Sequence, residues 1–136
     1  MRYLVLLGLF ICLSTQADDE LVVVINRASP VQQLSREAIS ALYLGNMNAN
    51  EASLGLKPLD LEDGHVRDNF YRLLLGRSRN QMRAYWSRMV FTGKGKPPRT
   101  YTANEVREAL QANPELISYL PRSRLDATLR PLLRSP

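Results

Sequence analysis

Apolar residues along this chain are spaced in the two patterns that distinguish strands from helices. Leu21 to Ile25 form an unbroken, largely β-branched run, LVVVI, which predicts a strand that is buried on both faces. Further along, apolar side chains recur at helical spacing from Ala38 to Leu42, with Ser35 as the N-cap and Gly45 as the end of the helix. The asparagine-rich segment from Asn46 to Gly55 is expected to be a surface loop.

The stretch from Pro58 to Gly76 changes from strand spacing to helical spacing within a few residues. We predict a strand from Lys57 to Leu61, a turn from Glu62 to Gly64, and a helix from Val66 to Leu75 that ends at Gly76. In an open α/β sheet, ligands usually bind at such a junction, and the free N–H groups of the first helical turn favour anions. The turn is therefore our candidate site.

A capping box marks the start of the next helix, with Ser78 at the N-cap and Gln81 three residues later. Apolar residues then repeat at helical spacing, which predicts a stripe that faces the core. The residues of this stripe are Met82, Tyr85, Trp86, Met89 and Val90.

A second capping box, Thr102 with Glu105, opens another helix, which ends at Asn113. A further strand is predicted from Leu116 to Leu120. The tail at residues 121–136 has weak periodicity, and we expect little structure in it.

Strands that alternate with helices at intervals of about 20 residues or more favour parallel pairing through crossover connections. We therefore predict an α/β fold with a mostly parallel sheet flanked by helices. No linker or repeat interrupts the sequence, so residues 18–136 are expected to form a single domain.

The first 17 residues have the composition of a cleavable export signal. Arg2 precedes an apolar run from Leu4 to Leu13, which is shorter than the roughly 20 residues that span a bilayer. Small residues lead to Ala17, after which we expect cleavage. Cys12 follows two bulky residues, which argues against lipoprotein processing, and cleavage removes it. We expect a periplasmic protein without a transmembrane segment in its mature part.

Charge and residue types narrow the classes of function. The chain has 18 Lys plus Arg against 13 Asp plus Glu, for a net charge of +5, and we interpret its scattered arginines as solvated surface. The sequence has one histidine, no cysteine after cleavage and no cluster of metal-ligating residues. This composition argues against an enzyme, a metal site or a cofactor. Nucleic-acid binding is unsupported, because aromatic and basic residues do not interleave.

Four segments resemble one known family in a consistent order. They are SREAISALYLGN (35–46), EDGHVRDNFYRLLLG (62–76), AYWSRMVFTGKGKPP (84–98) and EVREALQANPELISYL (105–120). These segments are similar to the substrate-binding proteins of phosphate ABC transporters, and more closely to their short, single-lobe secreted relatives. The resemblance implies the fold of one lobe of a type 2 periplasmic binding protein, whose full-length members hold the anion between two lobes.

The resemblance also implies a ligand site, because the turn from Glu62 to Arg67 corresponds to a phosphate-binding loop at a helix N-terminus. The candidate oxyanion ligands are Gly64, His65, Arg67 and, from the loop after the first strand, Ser29. Two departures weaken this site: His65 and Val66 replace small and hydroxyl residues, and Leu61 replaces an arginine. Each lost donor removes about 1.5–3 kcal/mol, so tight capture by an isolated monomer is not expected.

Two functions remain open. The first is a secreted, solute-binding-like protein that binds an oxyanion such as phosphate weakly, with the cleft completed by a homodimer, an ABC transporter or another periplasmic protein. The second is a periplasmic protein-interaction or sensory accessory domain that has lost its ligand. The missing lobe motivates the second function, since the surface that would have faced it is available to another protein.

Overall fold

The structure is a computed structural model that describes residues 20–46 and 55–134. The predicted export signal and most of the loop at residues 46–55 lie outside these ranges. Among the described residues, no helix is long and apolar enough to cross a membrane.

A four-stranded sheet with the order β2-β5-β1-β6 forms the centre of the fold. Strand β1 (Leu21–Asn26) pairs antiparallel with β5 (Leu116–Pro121) on one side and with β6 (Leu129–Arg134) on the other. Strand β2 (Lys57–Pro58) pairs parallel with β5. The residues from Leu21 to Ile25 are 0–7% exposed, so the prediction of a strand buried on both faces is confirmed.

The prediction of a mostly parallel sheet is wrong, because two of the three pairings in the central sheet are antiparallel. The alternation of strands and helices suggested parallel neighbours. However, β2 does not return beside β1 but pairs with β5, which lies between them. The direction of β1 is therefore set by pairing with residues 92 to 112 positions away in sequence, which local patterns do not report.

The expectation of weak structure after Pro121 also needs correction. A short 3-10 helix (Arg122–Arg124) follows β5, and β6 then pairs along β1 with a register shift between Val23 and Val24. Leu129 is only 2% exposed. The weak periodicity arose because β6 carries a proline and arginines between its leucines.

Within residues 20–46 and 55–134, four helices connect the strands, and their ends follow the predicted caps. They are α1 (Arg36–Tyr43), α2 (His65–Phe70, continued by a π-helical turn at Tyr71–Leu75), α3 (Arg79–Phe91) and α4 (Ala103–Ala112). The Ser35 hydroxyl accepts a hydrogen bond from the Ala38 N–H at 3.1 Å. Gly76 ends α2 in the left-handed region, with φ of 63°, where glycine is favoured. Both predicted capping boxes are present.

The strand predicted from Lys57 to Leu61 is divided in two at Leu59. The Leu59 N–H still donates to the Ile117 carbonyl of β5 at 2.8 Å. Beyond it, β3 (Asp60–Leu61) pairs parallel with β4 (Thr100–Tyr101) in a separate two-stranded sheet. This change of partner brings Asp60 into the interior, where it is 2% exposed.

Aromatic rings join the helices to the sheet. Phe70 of α2 stacks on Tyr119 of β5 with ring centroids 3.8 Å apart, and Tyr43 of α1 meets Phe70 edge-on at 4.6 Å. All three rings are almost fully buried. Such pairs contribute beyond their buried area, so this cluster fixes α1 and α2 against β5.

The predicted apolar stripe of α3 is only partly buried. Met82 and Trp86 are 3% and 8% exposed, whereas Val90 is 53% exposed and the last helical residue, Phe91, is 92% exposed. The expectation that Val90 faces the core is therefore corrected. The reason is that the end of α3 extends past the part of the core that covers its first two turns.

Replacing the N-cap of α3, Ser78→Ala, is expected to lower the free energy of unfolding by about 1 kcal/mol, because the Ser78 hydroxyl accepts the Gln81 N–H. The matched control is Ser87→Ala, an exposed serine within the same helix, which should change stability by less than about 0.5 kcal/mol. Urea unfolding of both variants provides the measurement, and equal losses would contradict the capping role.

Candidate functional site

A buried carboxylate lies directly before the candidate turn. Asp60 accepts hydrogen bonds from the hydroxyl of Tyr71 at 2.6 Å, from the hydroxyl of Tyr119, and from the backbone N–H of Leu61 at 2.9 Å. Arg67 completes its surroundings with an ion pair of 3.2 Å to the second carboxylate oxygen. Both oxygens of Asp60 are thus satisfied by donors from β5 and α2.

The two tyrosines act as hydroxyl donors at any ordinary pH. Burial, followed by the negative charge of Asp60 and the hydrogen bond to it, raises the pKa of Tyr119 far above its usual range. The same causes raise the pKa of Tyr71, although less strongly, because the neighbouring Arg67 acts in the opposite direction. Neither hydroxyl therefore ionises beside the carboxylate.

Arg67, a predicted oxyanion ligand, already has partners within the chain. Its Nε donates to the Tyr71 hydroxyl at 2.6 Å, and its terminal nitrogens contact Asp60 at 3.2 Å and Asp63 at 2.7 Å. Burial works against its charge, but Asp60 and Tyr71 together raise the pKa of Arg67. The guanidinium consequently ties the turn and α2 to the core.

Asp63 links the turn to α3. It accepts a hydrogen bond from Arg83 at 2.7 Å, in addition to the one from Arg67. The hydrogen bond from Arg83 is the main cause that lowers the pKa of Asp63, and the charges of Arg67 and Arg79 act in the same direction. Arg79 itself forms a bidentate pair with Asp68 of α2, at 2.8 and 2.9 Å.

Three of the four predicted ligands line one cleft of about 260 Å³. Gly64 forms its edge with an extended backbone, φ of 166°, that any residue adopts, so no strain requires glycine there. His65 is exposed, and its Nε2 lies 3.2 Å from the Asn69 side-chain nitrogen. Arg67 reaches the cleft from the inside.

Two helices begin at this cleft. The first turn of α2 leaves the N–H groups of His65, Val66 and Arg67 outside the helical ladder, since the ladder starts with the Asp68 N–H bonded to the Gly64 carbonyl at 3.0 Å. The start of α4 faces the same space through Thr102 and Ala103. The Thr102 hydroxyl is occupied by the Glu105 N–H at 3.2 Å. Two positive helix ends therefore meet at the predicted turn.

Ser29 does not join the other three residues. Ser29 follows the carboxyl end of β1. Gly64 follows β3, which comes directly after β2, and β2 runs parallel to β5. Because β1 and β5 are antiparallel, Ser29 and Gly64 lie at opposite ends of the sheet. The Ser29 hydroxyl instead accepts the Val31 N–H at 3.3 Å, within its own loop.

Sequence reasoning missed Asp60, Tyr71 and Tyr119, which organise the turn. The available signal was an aspartate between two leucines in an apolar strand, which is costly unless donors surround it.

Among the described residues, no group of three or more His, Cys, Asp or Glu side chains is placed to hold a metal ion.

Two solved structures share the fold of this chain. A crystal structure of an ABC-type phosphate transport receptor from Vibrio cholerae superposes with a TM-score of 0.63 at 19% identity, over 85% of this chain and 46% of that one. An X-ray structure of a putative phosphate ABC transporter substrate-binding protein with bound phosphate, from Clostridium perfringens, gives a TM-score of 0.64 at 20% identity, over 85% and 45%.

The fold is that of one lobe of a phosphate-transport binding protein. This chain spans less than half of the length of either matched protein, which agrees with the single-lobe resemblance of its sequence segments. At 19–20% identity the likeness shows the fold of the binding-protein lobe and nothing about its ligand. No protein-family model matches the sequence, and no curated protein matches it significantly.

Removing the central carboxylate of this lobe, Asp60→Ala, is expected to lower the free energy of unfolding by about 3–5 kcal/mol, because the partly buried Arg67 loses a partner and two tyrosine hydroxyls lose their acceptor. Urea unfolding measures the loss. Glu62→Ala, an exposed acid two residues away, serves as the control and should cost less than about 0.5 kcal/mol. A comparable loss of stability in both variants would show that the network around Asp60 does not stabilise the fold more than an exposed carboxylate does.

The lowered pKa of Asp63 predicts a pH dependence of stability. The pKa of Asp63 is lower in the folded protein than its value of about 3.9 in the unfolded chain, so ionised Asp63 stabilises the folded state at pH values above about 3.9. This stabilisation is lost as the pH falls through the pKa of the folded state. Asp63→Asn should therefore be less stable than the wild type near pH 6, and the difference should shrink below about pH 4. Urea unfolding at several pH values checks this, with Glu62→Gln as the control. A difference that stays constant down to pH 3 would contradict it.

Proposed function

We propose that this protein is an exported, solute-binding-like lobe that binds an inorganic oxyanion weakly, with phosphate as the first candidate. The observation that carries the proposal is the cleft at Gly64, which receives the N-termini of both α2 and α4. N–H groups outside the helical ladder and the positive ends of two helix dipoles favour a small anion there. The likeness to a structure that contains phosphate makes phosphate the first ligand to test.

The affinity should be low, because the cleft provides backbone donors without an uncommitted guanidinium. Arg67 is shared between two carboxylates, and the exposed Glu62 and Asp63 add negative charge at the rim. Charge-assisted hydrogen bonds contribute about 1.5–3 kcal/mol each, but the anion also loses hydration and freedom of motion. We expect a Kd on the order of 1 mM, or about −4 kcal/mol.

The same contacts of Arg67 favour the second function, a periplasmic protein-interaction or sensory accessory domain. Arg67 forms ion pairs with Asp60 and Asp63 and so stabilises the fold. A cleft in which this guanidinium does not contact the ligand binds an anion weakly. The periplasmic location proposed for both functions rests on the export signal in residues 1–17. An ABC transporter, another periplasmic protein or a second copy of the chain remains a proposed partner.

Substituting Gly64→Asp is expected to abolish oxyanion binding without harming the fold. Aspartate is a preferred N-cap, and a Cβ at Gly64 meets only the Glu62 carbonyl at 3.9 Å, so the folded state is retained while a carboxylate repels the anion. Isothermal titration of residues 18–136 with phosphate at low ionic strength, and with sulfate for selectivity, provides the measurement.

Gly64→Ala is the control for this substitution, because it adds a Cβ without charge and should keep the wild-type affinity. Arg67→Ala is a poor test, since it also breaks the ion pair to Asp60. No heat from the wild type at tens of millimolar phosphate would reject oxyanion binding and leave the interaction domain. Equal binding by wild type and Gly64→Asp would place any anion elsewhere.

A further inference from the structure

A groove of about 640 Å³ follows one face of α3 and adjoins the Gly64 cleft, with which it shares Asp63 and Arg67. Its α3 residues recur at intervals of three and four, so they form a single stripe along the whole helix. They are Arg79, Met82, Arg83, Trp86, Ser87, Val90 and Phe91. Twelve residue steps at about 1.5 Å give this α3 groove a length of roughly 18 Å, which suits an elongated occupant.

The floor of the α3 groove is apolar and firmly held. Trp86 is only 8% exposed, and Tyr85 meets it edge-on at 5.1 Å while donating a hydrogen bond to the Leu44 carbonyl at 2.6 Å. Gly45, with φ of 70°, lies against the indole so closely that a Cβ there would sit 3.1 Å from it. A floor that is already packed requires little ordering when a partner binds.

One end of the groove presents large apolar side chains to solvent. Val90 and Phe91 are 53% and 92% exposed, more than any other large apolar residues in the described part of the chain, and both line this groove. Pro97 adds a further apolar side chain to the lining of the groove. Exposed aromatic residues beside a concave apolar floor are typical of anchor sites for a partner.

Cations outnumber carboxylates around the groove, since Arg67, Arg79 and Arg83 line it together with Asp63. The sequence from Asn69 to Asn104 contains eight Lys or Arg residues and no Asp or Glu. Arg79 and Arg83 line the groove and are paired with Asp68 and Asp63 from α2 and its turn. Lys94 and Lys96, which lie between Phe91 and Pro97 in the sequence, have no carboxylate partner among the described ion pairs.

These features identify the chemistry of the occupant. A second copy of the chain would bring one cationic patch against another, since a symmetric contact uses the same patch on both copies. A planar lipid surface would contact Phe91 but leave the concave floor at Trp86 empty. A peptide segment with apolar anchors and acidic flanks fills the floor and also meets the cations.

We infer that the α3 groove is a docking site for an acidic, apolar-anchored peptide segment of a partner protein. This inference does not rest on oxyanion binding at Gly64. It assigns a surface and a partner chemistry to the interaction function.

The test is a peptide-display selection of a random 14-residue library against residues 18–136. We expect enrichment of peptides that combine Asp or Glu with Leu, Phe or Trp. A synthetic peptide of the enriched class is then titrated by fluorescence anisotropy against variants. Phe91→Ser should weaken its binding by at least about tenfold, and Arg83→Gln by about three- to tenfold.

Two control variants separate the groove from general effects. Arg88→Gln removes an exposed charge from the same helix outside the stripe and should change binding by less than about twofold. Phe91→Leu keeps an apolar anchor and should retain most of the affinity. The peptide titration and the phosphate titration are separate measurements on the same protein, so a failure of this inference is distinguishable from a failure of oxyanion binding.

Several results would overturn the inference. One is a selection that enriches no acidic and apolar class, and another is an enriched peptide whose affinity is unchanged in Phe91→Ser and Arg83→Gln. Sedimentation with vesicles containing about 30% phosphatidylglycerol tests the lipid surface, and Phe91-dependent vesicle binding without peptide binding would replace the peptide with a membrane. A wild-type dimer that Phe91→Ser converts to a monomer in analytical ultracentrifugation would assign the groove to a second copy.

Discussion

The carboxylate of Asp60 is the constraint on which the rest of this lobe depends. A charged group with 2% exposure is tolerated only while donors surround it, and here those donors come from α2, β5 and the backbone of β3. The position of α2 relative to the sheet is thereby set by chemistry as well as by packing of Phe70 on Tyr119. Arg67 extends the network outward to Asp63, which makes the exposed turn part of the same unit.

This network also limits what the turn can offer to an anion. In a binding site a guanidinium near a helix N-terminus is a strong oxyanion ligand, but Arg67 is engaged by two carboxylates of its own chain. What remains at the cleft is backbone N–H groups from α2 and α4 beside an acidic rim. The chain shares the fold of phosphate-transport binding proteins over less than half of their length. An anion at the proposed site would meet these N–H groups rather than an uncommitted guanidinium.

The first turns of helix α3 and its last turn have different surroundings. Its first turns supply Met82 and Trp86 to the core and Arg83 to the Asp63 network, whereas its last turn extends beyond the core and exposes Phe91. The segment from Asn69 to Asn104 has no acidic residue, and among the described ion pairs its positive charge is balanced by Asp68 of α2 and by Asp63 in the preceding turn. The result is a groove with an anchored apolar floor and a cationic margin, on a helix that tertiary contacts hold firmly at one end.

The sequence by itself determined the elements whose signals are local. The buried strand β1, the N-caps Ser35, Ser78 and Thr102, and the end of α2 at Gly76 follow from side-chain pattern and from backbone geometry within a few residues. It also placed the candidate turn next to a helix N-terminus. Only the tertiary structure decided the rest, because pairing between distant segments has no local signature. The antiparallel β1–β5 pairing separated Ser29 from Gly64, β6 ordered the tail against β1, and the burial of Asp60 committed Arg67 to the fold.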